Sequence, residues 1–181
     1  MTIDSNTRAA TLLIARIALA GIFIVAGLAK VQDATSFTET VRAFHLLPAS
    51  LVVPFARALP WLEIVAGAYL LAGFFSRLAA AITGAMLVLF IIALGDALLT
   101  GDTAHSCGCF GGLGSNPVVG FLAGGNSIGW WDLIRDLILL GLAALIIRFG
   151  PGAWSADGLI SGRSEPQQKP KPNRVPSRRR A

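Results

Sequence analysis

The sequence predicts an all-α membrane protein: a bundle of four transmembrane helices, with a short amphipathic helix after the first span and a cysteine-bearing outer loop between spans three and four. Hydrophobic residues make up 54% of the 181 residues and charged residues only 14%, and the mean hydropathy is +0.67. Soluble domains have about 45–50% apolar and about 25% charged residues. The excess of apolar residues lies in four runs of about 20 residues, the length that crosses about 30 Å of hydrocarbon.

The first apolar run covers residues 11–29 and is interrupted only by Arg16. Gly21 and Gly27 are small residues of the kind that lets two helices approach closely. Lys30 ends the run, where a lysine can extend its amine to the membrane interface. The run therefore predicts a first span that is anchored at its end and packed against a neighbouring helix.

A polar segment follows the first span and leads into a short amphipathic helix that ends at Pro48. Apolar side chains recur there at intervals of three or four residues, which is the spacing of one helical face. The apolar positions of this helix are Phe37, Val41, Phe44 and Leu47.

Three more apolar runs predict the remaining spans. The second run, 51–75, contains two prolines, which predict either a kinked span or a short lead-in helix before a span that begins at Pro60. The third, 78–99, is the most uniform. The fourth, 130–149, opens on two tryptophans, which are typical anchors at a membrane interface.

Charge divides the chain into a cytoplasmic lead (1–10), a membrane domain (11–154) and a disordered basic tail (155–181). Residues 1–154 carry eight Lys/Arg and eight Asp/Glu, so the net charge of +5 comes from the tail. The pI of about 10.0 therefore describes that tail and does not indicate nucleic-acid binding. A basic tail of this kind is attracted to anionic lipid at the cytoplasmic face.

The positions of lysine and arginine predict how the bundle is oriented in the bacterial inner membrane, because these residues concentrate on the cytoplasmic side. One end of the spans carries Arg8, Arg16, Arg77, Arg148 and the basic tail; the other carries Lys30, Arg42 and Arg57. The loop 101–129 has no lysine or arginine. We therefore expect both termini in the cytoplasm and this loop on the outer face.

The loop contains both cysteines of the chain, Cys107 and Cys109, separated by Gly108. A purely structural disulfide across one residue would remove little chain entropy, because stabilisation grows with loop length. A redox-active pair is favoured instead, since glycine tolerates the unusual backbone of so small a ring and strained, exposed disulfides are readily reduced. A metal half-site with His105 is the third interpretation, although one Cys-x-Cys is a weak metal signal.

Ionisable residues inside or at the ends of the spans form the second candidate site, because such residues are costly in a bilayer and are often functional. Glu63 and Arg135 are predicted to form an ion pair. The spacing of Asp132, Arg135 and Asp136 places them on one helical face. These charges either hold the helices in register or line a polar chamber that supplies protons or binds a quinone carbonyl. The chamber would contain Lys30, Glu63, Asp96, Asp132, Arg135 and Asp136.

Five short motifs follow one another along the chain: GLAK at 27–30, FHLLP at 44–48, LPWLE at 59–63, CGCFG at 107–111 and WDLIRD at 131–136. In this order they resemble the MauE branch of the DoxX-like membrane proteins. The resemblance covers roughly residues 10–150, and the cysteine motif is its most specific part. The resemblance implies a four-helix membrane bundle and a link to methylamine utilisation, in which such proteins assist disulfide formation in a periplasmic dehydrogenase.

Together, the residues and the resemblance predict a membrane redox protein that exchanges a disulfide with an envelope thioredoxin-like protein or a secreted dehydrogenase subunit. Cys107, Cys109, Glu63 and Arg135 are the predicted reactive residues. A quinone is the cofactor that the chamber could hold, beside Lys30, Trp131, Asp132 and Asp136; a metal centre is not expected. A membrane scaffold with a structural disulfide, and metal handling through His105, Cys107 and Cys109, are the alternatives.

Overall fold

The computed structural model describes residues 5–101 and 129–150, and every regular element in these ranges is an α-helix. Residues 1–4, residues 102–128 with both cysteines, and residues 151–181 with the basic tail lie outside the described residues. The helices are α1 (Ser5–Gln32), α2 (Ala34–Ala43), α3 (Ala49–Ala72), α4 (Ser76–Thr100) and α5 (Trp130–Phe149).

Three of these helices are long and apolar enough to cross a membrane: α1 over Ala9–Gln32, α3 over Ala49–Ala72 and α4 over Ser76–Thr100. Their length and composition support the prediction of a multi-pass membrane protein. Helix α5 is not among these candidate spans, and its 20 residues include Asp132, Arg135, Asp136 and Arg148.

The four long helices pack around one core. Helix α1 runs along α3 and α4 along α5, while contacts of α1 with α5 and of α3 with α4 complete the arrangement. Side chains from all four helices meet in this core, where they are removed from solvent and lipid. The core includes Leu19, Phe23, Leu70, Met86, Leu87, Leu139 and Ile146.

Two glycines allow α1 and α3 to approach closely. A Cβ atom at Gly27 would lie 2.8 Å from the carbonyl oxygen of Pro60, and one at Gly67 would lie 3.0 Å from that of Ala20. Close approach through small residues is the usual way in which membrane helices pack. The prediction for Gly27 is confirmed, whereas that for Gly21 is wrong, because a Cβ atom at Gly21 would meet nothing within 4 Å.

Helix α2 lies between the first two long helices and turns one face toward the core. Asp33 caps its first turn by accepting a hydrogen bond from the Ser36 N–H at 3.1 Å. Phe37 is buried in the core, whereas the ion pair of Glu39 with Arg42 is exposed. The helix ends at Ala43, before the predicted end at Pro48, because the backbone at His45 takes a positive φ of 53° that no α-helix continues through.

Helix α3 is continuous from Ala49 to Ala72 and includes Pro54 and Pro60. The alternative of a separate lead-in helix before Pro60 is therefore wrong. The helix ends at Gly73, which has a φ of 69° and donates its N–H to the carbonyl of Leu70. The tight turn that follows brings α4 back alongside α3.

Candidate functional site: a buried charge cluster

A buried ion pair joins α1 to α3. The ammonium of Lys30 donates to both carboxylate oxygens of Glu63, at 2.6 Å and 2.8 Å, and each residue is only 1% exposed. The same ammonium lies 5.4 Å from the ring centre of Phe37 and 5.3 Å from that of Phe90. Such rings attract a cation through the negative charge of their faces, so the lysine is held from several sides.

This geometry corrects two predictions. Lys30 does not extend toward an interface, because its amine is bound inside the helix bundle. The predicted pair of Glu63 with Arg135 is also wrong, since the two oxygens of Glu63 accept from Lys30. Sequence gave no signal for the true pairing, which joins residues 33 positions apart and depends on how α1 and α3 are rotated about their axes.

The second group of charges lies on the first two turns of α5. Arg135 donates to Oδ1 of Asp136 from two of its nitrogens, at 3.0 Å and 2.9 Å, and to Oδ1 of Asp132 at 3.2 Å. All three side chains are buried. The spacing of three and four residues that predicted a common face is thus confirmed.

Asp132 connects this group to the start of the helix. Its Oδ2 accepts the N–H of Gly129 at 3.1 Å, which satisfies a backbone donor that an α-helix leaves free at its N-terminus. Gly129 is also the first described residue after the segment 102–128, which contains both cysteines. One carboxylate therefore binds both this backbone N–H and the guanidinium of Arg135.

A small cavity joins the two groups. Its volume is about 30 Å³, and its polar lining consists of Lys30, Glu63, Arg135 and Asp136. We call Lys30, Glu63, Asp132, Arg135 and Asp136 the charge cluster. The cluster is assembled from α1, α3 and α5, and it lies at the end of the bundle where α4 ends and α5 begins.

An apolar cavity of about 300 Å³ adjoins the charge cluster beneath α2. Phe37 and Phe90, the two rings beside the Lys30 ammonium, are part of its wall. The walls are aromatic and aliphatic, and the volume matches the lower end of small-molecule sites in proteins. The lining residues are Phe37, Thr40, Val41, Phe44, Leu46, Leu47, Phe55, Leu59, Leu89, Phe90, Ile92, Ala93 and Leu94.

Other predicted site residues lie elsewhere. Trp131 is 46% exposed and does not line the small cavity, and Asp96 is exposed on α4. His105, Cys107 and Cys109 lie outside the described residues. Within the ranges 5–101 and 129–150, no group of three His, Cys, Asp or Glu side chains is placed to hold a metal ion.

Sequence reasoning also misjudged Arg16, which it treated as an orienting charge near the cytoplasmic end. The structure buries this side chain to 3% exposure within the bundle. A burial this complete follows from the position of Arg16 on the inward face of α1, beside Leu12, Ala15 and Leu19. The helical spacing of these apolar neighbours was the available signal.

The chain is similar in sequence to a known protein family. The family model "Methylamine utilisation protein MauE" matches residues 8–149. A methylamine utilization protein MauE from Paracoccus denitrificans is 34% identical over 155 residues, which cover 81% of this chain and 77% of the relative. The homologue from Methylorubrum extorquens is 32% identical over 155 residues, with 76% and 82% covered.

The relative from Methylophilus methylotrophus is 30% identical over 125 residues, which are 69% of this chain. The match spans 61% of that relative's own length. No solved structure gives a significant match to the chain.

Proposed function

The chain belongs to the family of methylamine utilisation protein MauE, and from that membership we propose a membrane redox function. Cys107 and Cys109 exchange a disulfide with an envelope thioredoxin-like protein. The relatives are named for methylamine utilisation, and a secreted dehydrogenase subunit is the substrate that receives or loses the disulfide through that partner.

The observation that carries this proposal is the charge cluster at the start of α5, the helix that follows the cysteine-containing segment in the chain. Gly101 is the last described residue before that segment and Gly129 is the first after it, and the Gly129 N–H is bound by Asp132. Buried ionisable groups in membrane helices are costly and are found mainly where they serve function. Five of them lie together in this part of the bundle, and the segment 102–128 contains the only two cysteines of the sequence.

The exchange itself proceeds between sulfur atoms. A thiolate of the partner attacks one sulfur of the Cys107–Cys109 disulfide, which forms a mixed disulfide and releases the other cysteine as a thiolate. The second thiol of the partner then attacks the mixed disulfide. The partner leaves as a disulfide, and the two electrons and two protons remain on Cys107 and Cys109 as two thiols. The same steps in reverse reduce the partner.

A lipid-soluble quinone is the acceptor that we propose for the electrons of the reduced pair. The apolar cavity supports this choice, because its volume of about 300 Å³ and its aromatic walls suit a ring with a hydrocarbon chain. Phe37 and Phe90 line this cavity, and their ring centres lie 5.4 Å and 5.3 Å from the Lys30 ammonium. A quinone bound there would accept two electrons and two protons.

The proposed topology places four spans in the inner membrane, with α5 as the fourth. Twenty helical residues are about 30 Å long, which matches the hydrocarbon thickness. The polar residues of α5 support rather than oppose this placement, because Asp132, Arg135 and Asp136 are buried against the other helices. Arg77 and Arg148 mark the cytoplasmic end, so both termini are cytoplasmic and the cysteine loop faces the envelope.

Trapping of the mixed disulfide tests this function. Cys107→Ala and Cys109→Ala each leave one cysteine, which cannot resolve a mixed disulfide by internal attack. We expect one of these variants to accumulate a disulfide-linked complex with an envelope protein, and the complex to dissociate when a thiol reductant is added. The double variant Cys107→Ser/Cys109→Ser is the control, because it has no thiol to trap.

Two results would contradict the proposal. One is the absence of a trapped complex from both single variants. The other is a double-serine variant that still supports growth on methylamine in a host that depends on this protein, which is the behaviour of a scaffold.

A further inference from the structure

The charge cluster contains more negative than positive groups. Lys30 and Arg135 are its cations, whereas Glu63, Asp132 and Asp136 are carboxylates, so full ionisation leaves one negative charge in excess. The segment 101–129 contains no lysine or arginine, and its titratable side chains are Asp102, His105 and the two cysteines. An uncompensated charge inside a protein or a bilayer costs several kcal/mol, and proteins usually avoid it by neutralising the group.

The geometry identifies which carboxyl group is the exception. Both oxygens of Glu63 accept from Lys30, and the two oxygens of Asp132 accept from Arg135 and from the Gly129 N–H. Asp136 differs, because only its Oδ1 accepts, from Arg135. Its Oδ2 is buried without a hydrogen-bond partner among the described residues, and the residue is 2% exposed.

The small cavity described above borders Asp136. Its volume of about 30 Å³ exceeds the volume of about 10–15 Å³ that a single water needs. Asp136 lines it together with Lys30, Glu63 and Arg135, so a water there would have several polar partners. A water in this cavity would be a hydrogen-bond acceptor for the Oδ2 side of Asp136, which the described residues do not supply.

We propose that Oδ2 of Asp136 is a proton-binding site, in which a neutral carboxyl group donates its O–H to a water in the small cavity. A bound proton removes the excess negative charge of the cluster and gives the buried Oδ2 a hydrogen bond. Among residues 5–101 and 129–150, the charged groups that face it are Lys30 of α1, Glu63 of α3, and Asp132 and Arg135 of α5. Helix α4 contributes Leu87 and Phe90 to this cavity, neither of which is charged.

This site holds an exchangeable proton at the end of the bundle where α5 begins. The use of that proton in thiol and quinone chemistry at Cys107 and Cys109 rests on the proposed function. The binding of the proton does not rest on that function, because it follows from the charges and contacts of α1, α3 and α5.

Infrared spectroscopy of the full-length protein in lipid nanodiscs tests the proposal, since a protonated carboxylic acid has a carbonyl stretch distinct from that of a carboxylate. At neutral pH we expect one such band from a buried acid, which shifts in D₂O. The band should be lost in Asp136→Asn, and the melting temperature should stay near that of the unmodified protein, because asparagine has the shape of the neutral acid.

Two control variants keep the test decisive. Asp96→Asn removes an exposed acid of α4 that lies outside the charge cluster, so it should keep both the band and the melting temperature. Cys107→Ser/Cys109→Ser should also keep the band, which separates this inference from the proposed redox function. Absence of the band at neutral pH, or its loss in Glu63→Gln but not in Asp136→Asn, would overturn the assignment.

Discussion

The position of the Lys30 side chain determines which acid of the charge cluster is paired with a lysine. A lysine at the end of an apolar run ordinarily places its amine at the interface. Here the amine lies instead between Glu63 and two aromatic rings, and the residue is 1% exposed. Each partner is therefore tolerated in the bundle only because the other is present.

Removal of one member of this pair should destabilise the protein strongly. Lys30→Met leaves the Glu63 carboxylate buried without its cation, and the expected loss in the free energy of unfolding is about 3–5 kcal/mol. In the double variant Lys30→Met/Glu63→Leu, apolar groups replace both charges, so most of that loss should be recovered. Denaturant unfolding of the purified protein in detergent micelles, followed by circular dichroism, measures both.

The exposed pair of Arg42 with Glu39 is the matched control. Its side chains are 56% and 61% exposed, and such pairs contribute about 0.3–0.5 kcal/mol. Arg42→Met should therefore change the stability little. A double variant as unstable as Lys30→Met alone would show that the two charges do not act as a pair.

At the scale of elements, the contact of α1 with α3 positions the ion pair. Gly27 lies one turn before Lys30, and Pro60 lies one turn before Glu63, so the closest backbone approach is adjacent to the paired charges. Without a side chain at Gly27 the helices come close enough for Lys30 to reach its partner. The glycine thus acts on the site through helix packing.

Alanine substitutions at two glycines of α1 should have opposite effects. In Gly27→Ala the new Cβ would lie 2.8 Å from the Pro60 carbonyl oxygen, and the separation of the helices should cost about 1–3 kcal/mol. In Gly21→Ala nothing lies within 4 Å, and the better helix propensity of alanine should stabilise the protein by up to about 1 kcal/mol. Thermal unfolding in detergent compares them, and equal melting temperatures would contradict the close contact.

The helices themselves were the most predictable part of the fold. Long apolar runs located the cores of α1, α3, α4 and α5, because crossing or filling a bundle requires that length of apolar residues. The prolines of α3 left two alternatives open, a kinked span or a separate lead-in helix, and the structure has one helix that includes both prolines. The end of α2 was misplaced because the positive φ of His45 has no strong sequence signal.

At the scale of the whole molecule, the sequence predicted which charges gather but not how they pair. The three-residue spacing of Asp132 and Arg135 on α5 is local, and their contact follows from it directly. The partner of Glu63 and the unpartnered oxygen of Asp136 depend instead on the relative rotation of three helices. Those rotations are set by packing details such as the glycine contacts of α1 and α3.

In the proposed topology, the charge cluster and the cysteine-containing segment share the outward end of the bundle. The chain offers an internal reference for the other end, because Arg77 is exposed at the start of α4 and lies beside Gly150 at the end of α5. A cysteine at that position, in the Cys107→Ser/Cys109→Ser background, reports cytoplasmic exposure.

Labelling with a membrane-impermeant maleimide, after mild reduction of intact spheroplasts, tests this claim most directly. We predict that Cys107 and Cys109 are labelled without permeabilisation, whereas the Arg77→Cys variant is labelled only after the membrane is opened. Labelling of Cys107 and Cys109 only in permeabilised cells, with the Arg77→Cys variant accessible from outside, would contradict it.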